Sequence, residues 1–240
     1  MKRLFTALLF ALCSLSALGQ YSNHVTYETP GSYTFTWVSG VNTVWFKMWG
    51  AGASGSRSAY VQLGGAAASG AYCWGRAARP TSGQTTIVIG VGGSAQSTTG
   101  SAGSYGGDTR FGNCYAIADS AQTSLPPPNW KTGTDGGSGG ICSGPSISGS
   151  VPVDGGFDGW VPGGMGQASA PVMVHDPNPQ PGTGLPLWLN ASHPMGADAP
   201  RGGRGGNNGQ SGQSPGGGGA PGNIDFVSGA GGNGRVEIFW

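Results

Sequence analysis

Alternation of apolar and polar side chains marks out strands along this chain. In Thr43–Trp49, Val44, Phe46 and Met48 fall on one face, and Thr43, Trp45, Lys47 and Trp49 on the other. That is the period of two of a pleated strand, and its aromatic and β-branched content suits one. Tyr33–Val38 alternates in the same way, and the link Ser39–Asn42 predicts an antiparallel hairpin between the two. His24–Tyr27, Ala71–Arg76 and Arg110–Ile117 are further strand candidates, with turns at Thr29–Ser32 and Ser82–Gln84. Thr85–Val91 is apolar on both faces, which predicts a buried strand. In Gly234–Trp240, Val236, Ile238 and Trp240 share a face, and this segment is expected to pair with the N-terminal strands and close the domain. No window has the 3.6-residue period of an amphipathic helix of ordinary length.

Between the strands, glycine recurs at every third position in short runs. Gly100, Gly103 and Gly106 form one, and Gly133, Gly136 and Gly139 another. Gly203, Gly206, Gly209 and Gly212 form a third, and Gly216, Gly219 and Gly222 a fourth. Three is the period of the polyproline II helix, in which one face can be stripped of side chains. The runs are too short and too far out of register for collagen. Two readings stand: packed polyproline II segments, or flexible loops. The expected fold is all-β, a β-sandwich-like glycine-rich domain with long loops.

Composition narrows the class. Only 9% of the residues are charged and the net charge is +1, which argues against a charge-driven nucleic-acid or membrane partner. Gly 50 and Pro 17 reach the low-complexity range. Trp 8, Tyr 7 and Phe 8 nonetheless supply something to pack. Met1-Lys2-Arg3, the apolar run Leu4–Leu18 and the small residues Ala17 and Gly19 read as a signal peptide over 1–19. The run is short for a membrane span. Residues 20–240 are then one exported domain, with irregular surface loops over 119–132 and 151–200. Of Cys73, Cys114 and Cys142, one pair is expected to form a disulfide in an oxidising compartment, and the sequence leaves the pair open. Without a C-x-x-C spacing, no metal site and no cofactor are expected.

Several motifs lack their context. Gly50–Gly55 matches G-x-G-x-x-G after a strand, but no helical stripe follows, and the next acid, Asp108, comes far later than the roughly 20 positions a dinucleotide site needs. Gly136–Gly140 matches G-x-S-x-G without the flanking strand and helix. His175 beside Asp176 is no more than any secreted chain offers, and no acid–base pair stands out, so the chain is not expected to be an enzyme. Asp154 and Asp158 fit turn chemistry better than a calcium loop. Arg201–Gly206 resembles an RGG box with only two repeats, and Asn190–Ser192 is a glycosylation sequon. The candidate ligand-binding residues are Trp130, Trp160 and Trp188, which lie in loop-like sequence where an indole can anchor a partner, sugar faces included. Their alternative is core packing.

An ordered set of pieces resembles a known family. Tyr27–Thr36 leads into Val41–Gly52, followed by Gly70–Tyr72, Ser82–Gly92, Gly106–Gly112 and a close at Gly229–Ile238. The set is similar to the glycine-rich domain of phage tail fibre and tail-tip adhesin proteins. That resemblance implies a non-enzymatic β-rich domain whose variable loops bind a cell-surface glycan or protein receptor, with glycine runs packed as polyproline II helices in some members. A signal peptide departs from a tail protein assembled in the cytosol. The function expected is therefore a secreted adhesin-like binding module, extracellular and associated with a virion or cell surface. The alternative is an extracellular matrix or filament protein assembled through glycine runs. A homo-oligomer is left open.

Overall fold

A computed structural model describes residues 22–59, 64–117, 139–165, 196–207 and 209–240. Among them are ten strands and no helix. The strands are β1 (His24–Tyr27), β2 (Gly31–Thr36), β3 (Thr43–Trp49), β4 (Tyr72–Ala78), β5 (Gln84–Ile89), β6 (Thr109–Phe111), β7 (Cys114–Ile117), β8 (Ile141–Ser143), β9 (Gly156–Val161) and β10 (Arg235–Phe239). They form two antiparallel five-stranded sheets, ordered β1-β10-β3-β4-β9 and β2-β5-β6-β7-β8. The chain is all-β, and the arrangement is that of a sandwich.

The core lies between the sheets. Val44, Phe46 and Met48 meet Val236 and Ile238 on one side and Ile87, Ile89 and Phe111 on the other, all buried. Phe46 stacks on Phe111 at 4.8 Å between ring centroids, and Phe35 of the second sheet packs on Trp240 at 5.7 Å. A disulfide joins Cys73 of β4 to Cys142 of β8, one from each sheet. The terminal strand pairs with β1 and β3 as expected, Val236 opposite Met48 and Val25 opposite Ile238.

Three strand expectations change. The predicted hairpin of β2 with β3 does not form: β2 pairs with β5, and β3 pairs with β10 and β4. The link between them crosses from one sheet to the other. Trp37, the first residue after β2, is buried and donates its indole N–H to Thr85 Oγ1 at 2.9 Å, which holds the chain across the end of the core. β5 is buried on one face only: Thr85, Ile87 and Ile89 point inward, Thr86 is exposed, and Val91 lies past the strand in solvent. The stretch 151–200 is not irregular throughout, because Gly156–Val161 is the strand β9 on the edge beside β4. Its glycines stand where neighbours need room. Trp74 Cζ2 and Cη2 occupy the space a side chain on Gly159 would take. Arg110–Ile117 resolves into β6 and β7 around a turn at Gly112-Asn113.

Among the described residues, the runs 203–206 and 216–222 are packed and hydrogen-bonded with 50–56, 64–70 and 229–232, and their bonds recur every three residues. The N–H groups of Gly64, Ala67 and Gly70 donate to the carbonyls of Gly222, Gly219 and Gly216 at 2.9, 3.1 and 2.9 Å, an antiparallel ladder in steps of three. Gly219 and Gly222 donate in turn to Ala53 and Ser56, both at 2.9 Å, in parallel register. Gly52 and Gly55 donate to Gly232 and Gly229, and Gly229 and Gly232 donate to Ala220 and Gly217. A β ladder repeats every two residues; a repeat of three is that of polyproline II. The run 216–222 is buried and bonded to several neighbouring runs, so its backbone polar groups are satisfied without a conventional sheet. The Arg201–Gly206 stretch belongs to this bundle: Arg201 lies over the Tyr72 ring at 5.4 Å, and Gly203 and Gly206 donate to Pro215 and Gly218.

Candidate binding surface

The bundle grows out of the sandwich. β3 ends at Trp49, and the run 50–57 leads away, paired with 216–222 in parallel. At about 3.1 Å per residue, Arg57 stands about 20 Å from Gly50. At that far end, 223–228 turns the run 216–222 back into 229–234. Ser58 donates to Gly222 at 3.2 Å, which places 57–58 beside this turn.

The turn is internally fixed. Asn223 Oδ1 accepts from the N–H of Asp225 at 2.9 Å and of Phe226 at 3.2 Å, while Asn223 N–H donates to the Phe226 carbonyl at 3.1 Å. Arg57 ties it to its neighbours. Its Nε donates to the Asn223 carbonyl at 2.8 Å, its Nη2 to that of Ile224 at 3.0 Å, and its Nη1 to that of Ser97. Gln96 N–H donates to Ser228 Oγ at 2.8 Å. An arginine spending its donors on carbonyls acts as a clamp. On this clamped turn Ile224, Phe226 and Val227 stand exposed at 49%, 36% and 47%. Three apolar side chains in four positions, held outward by polar contacts beneath them, form a preorganised patch of the kind that anchors a partner.

Of the three tryptophans expected from sequence, one lies among the described residues. Trp160 lies on edge strand β9 of the sandwich, 47% exposed, and is not part of the turn at the bundle end. Trp130 and Trp188 lie outside the described residues, as do His175, Asp176, the sequon at Asn190, the triplet at Gly133 and Gly136, and residues 1–19. Asp154 and Asp158 serve different partners: Asp154 Oδ1 accepts from Thr85 Oγ1 at 2.8 Å, and Asp158 takes Arg76 in a two-point ion pair at 2.7 and 2.9 Å. Among the described residues, no three His, Cys, Asp or Glu side chains gather as a metal site would require. The patch at 223–228 had one sequence signal. Ile224-Asp225-Phe226-Val227 is a bulky interruption between glycine runs, too short for either strand or helix periodicity.

Cys114 is the free cysteine of the core, with its thiol pushed up to about 12 by burial. Such a thiol is unreactive at neutral pH. Labelling Cys114 with Ellman's reagent at pH 8 is expected to require denaturant, and fast labelling of the folded protein would contradict the burial. The raised value also sets a sign. Stability linked to this group is complete below its ordinary value of 9.0 and falls as pH rises from there towards 12, because the unfolded chain loses its proton first.

Comparison with protein families adds one decisive match. The model of the glycine-rich domain matches residues 28–240. The chain belongs to the glycine-rich domain family. The match takes in β2 to β10 and the bundle and begins just after β1, so the family domain comprises sandwich and glycine-rich runs together. No curated protein matches the chain.

Proposed function

We propose that this glycine-rich domain is a secreted, non-enzymatic binding module, adhesin-like in use, which presents recognition loops to a cell-surface ligand. The observation that carries the reading is the clamped turn 223–228, with Ile224, Phe226 and Val227 exposed at the far end of a hydrogen-bonded bundle. Binding costs less when the contacting loop is already ordered, and a bundle of satisfied backbone is a stiff stalk for such a loop. The resemblance to tail fibre and tail-tip adhesins supports the same use. The export signal over 1–19 fits an extracellular setting.

The test is surface binding of the labelled protein to a panel of bacterial and eukaryotic cells. Ile224→Ala with Phe226→Ala is expected to weaken binding to the responsive cells by roughly thirtyfold, the effect of about 2 kcal/mol at an anchor, at an unchanged melting temperature. Equal binding by the double variant, or no binding of the native protein to any cell, would sink the reading. Concentration-dependent filaments in electron micrographs would favour the matrix alternative.

A further inference from the structure

The face of the first sheet turned away from the core carries a second surface, remote from the bundle turn. Register places His24, Phe239, Trp45 and Arg76 side by side on β1, β10, β3 and β4. At strand spacing this row is about 14 Å long. The next row runs Thr26, Glu237, Lys47, Trp74 and Gly159 across all five strands. His24 is exposed and stacks on Phe239 at 6.0 Å with an interplanar angle of 21°. Phe239, Trp45, Lys47 and Trp74 are half-buried, so each keeps part of its surface in solvent. The Trp74 indole extends over the bare backbone of Gly159.

The polar groups between the rings are matched in charge. Arg76 meets Asp158 in the two-point pair, Lys47 Nζ sits 4.8 Å from the Phe239 ring centroid, and Arg235 bridges Glu28 at 2.9 Å and Glu237 at 3.7 Å. Each acid has a cation against it, so the face holds no excess charge to attract a polyanion or a basic peptide. Nor does it have the makeup of a protein interface, whose buried centre is depleted of Lys, Glu and Asp. Here charged groups alternate with rings across the middle of the face. Rings interleaved with fixed donors and acceptors are what a sugar chain requires, because its C–H faces pack on aromatics while its hydroxyls need hydrogen-bond partners. An extended, open row suits a polymer better than a free monosaccharide.

We infer that this face is a binding platform for an uncharged polysaccharide, with Trp45 and Trp74 as the stacking residues and Lys47 and the Arg76–Asp158 pair as the hydroxyl partners. It is a different surface from the bundle turn, and either can fail without the other.

The experiment is native electrophoresis of the protein through gels containing hydroxyethylcellulose, galactomannan or dextran, with heparin as the charged comparison. Retardation by at least one neutral polymer and not by heparin is expected. Trp45→Ala and Trp74→Ala are each expected to weaken it at least tenfold, and Phe226→Ala to leave it unchanged. Protection of Trp45 and Trp74 from N-bromosuccinimide by the retarding polymer, mapped by mass spectrometry on the native protein, gives the same answer where a variant folds poorly. No retardation by any neutral polymer, stronger retardation by heparin, undiminished retardation of both variants, or oxidation of both indoles despite bound polymer would each overturn the inference. So would a native dimer in sedimentation that Trp45→Ala dissociates, since the face would then be filled by a second copy.

Discussion

Gly219→Ala is expected to destabilise the protein by about 3 kcal/mol or more, the upper end of what overpacking costs, read as a drop in the urea midpoint. A methyl group there would land far inside van der Waals contact with the Gly229 carbonyl oxygen and 2.7 Å from the Ala230 oxygen. The obstacle is backbone, and that backbone is committed. Gly219 N–H donates to Ala53 and its carbonyl accepts from Ala67, while Gly229 N–H donates to Ala220. Making room for one methyl therefore means parting runs that share bonds on several sides. Gly40 is the comparison. A side chain there meets nothing within 4 Å, although φ is +82°. Gly40→Ala should cost only about 1 kcal/mol, the price of a left-handed backbone for a residue with a Cβ. If the two substitutions cost the same, the bundle is not close-packed.

Loss of the inter-sheet disulfide should be the other large effect. Cys73 and Cys142 are 69 residues apart in sequence, and a loop of that length restricts the unfolded chain by about 4 kcal/mol on the entropic estimate. The pair also joins β4 to β8, the latter a three-residue strand held in its sheet by β7. Cys73→Ser with Cys142→Ser is expected to lower stability by about 2–4 kcal/mol, and reductant should lower the melting temperature of the native protein towards that of the double variant. A melting temperature indifferent to both would mean that the bond does not form in solution. Cys114 is not a substitute partner, because it lies buried in the core with its sulfur beneath Gly155.

What could be read from the sequence follows from where the information resides. Strands with full alternation, such as β3 and β10, were legible because each carries its own buried face. Their neighbours were less so. β2 and β3 are close in sequence yet lie in different sheets, and only the burial of Trp37 between them shows why. β9 was hidden because two of its positions are glycine, and the reason is on its partner strand: Gly159 yields its space to Trp74. The glycine runs were ambiguous in principle. Loops and packed polyproline II segments share a composition, and they differ in whether carbonyls on other runs answer every third N–H. The cysteine pairing depended on the same long-range knowledge, since Cys73 and Cys142 meet only after β4 and β8 are placed in opposing sheets. For the proposed binding turn, Ile224–Val227 carries no periodicity of its own, and its exposure comes from the clamp by Asn223 and Arg57.

The three-residue ladder imposes a counting rule on any change of length. Adding one residue to the run 216–222 would rotate every later position by about 120° about the run's axis, presenting side chains to carbonyls and N–H groups to the wrong neighbour. Adding three to every run bonded at that level would restore the phase and lengthen the stalk. Insertions should therefore survive in whole triplets, whereas the turn 223–228 lies outside this count and is held to its length by the contacts of Asn223, Arg57 and Ser228 instead.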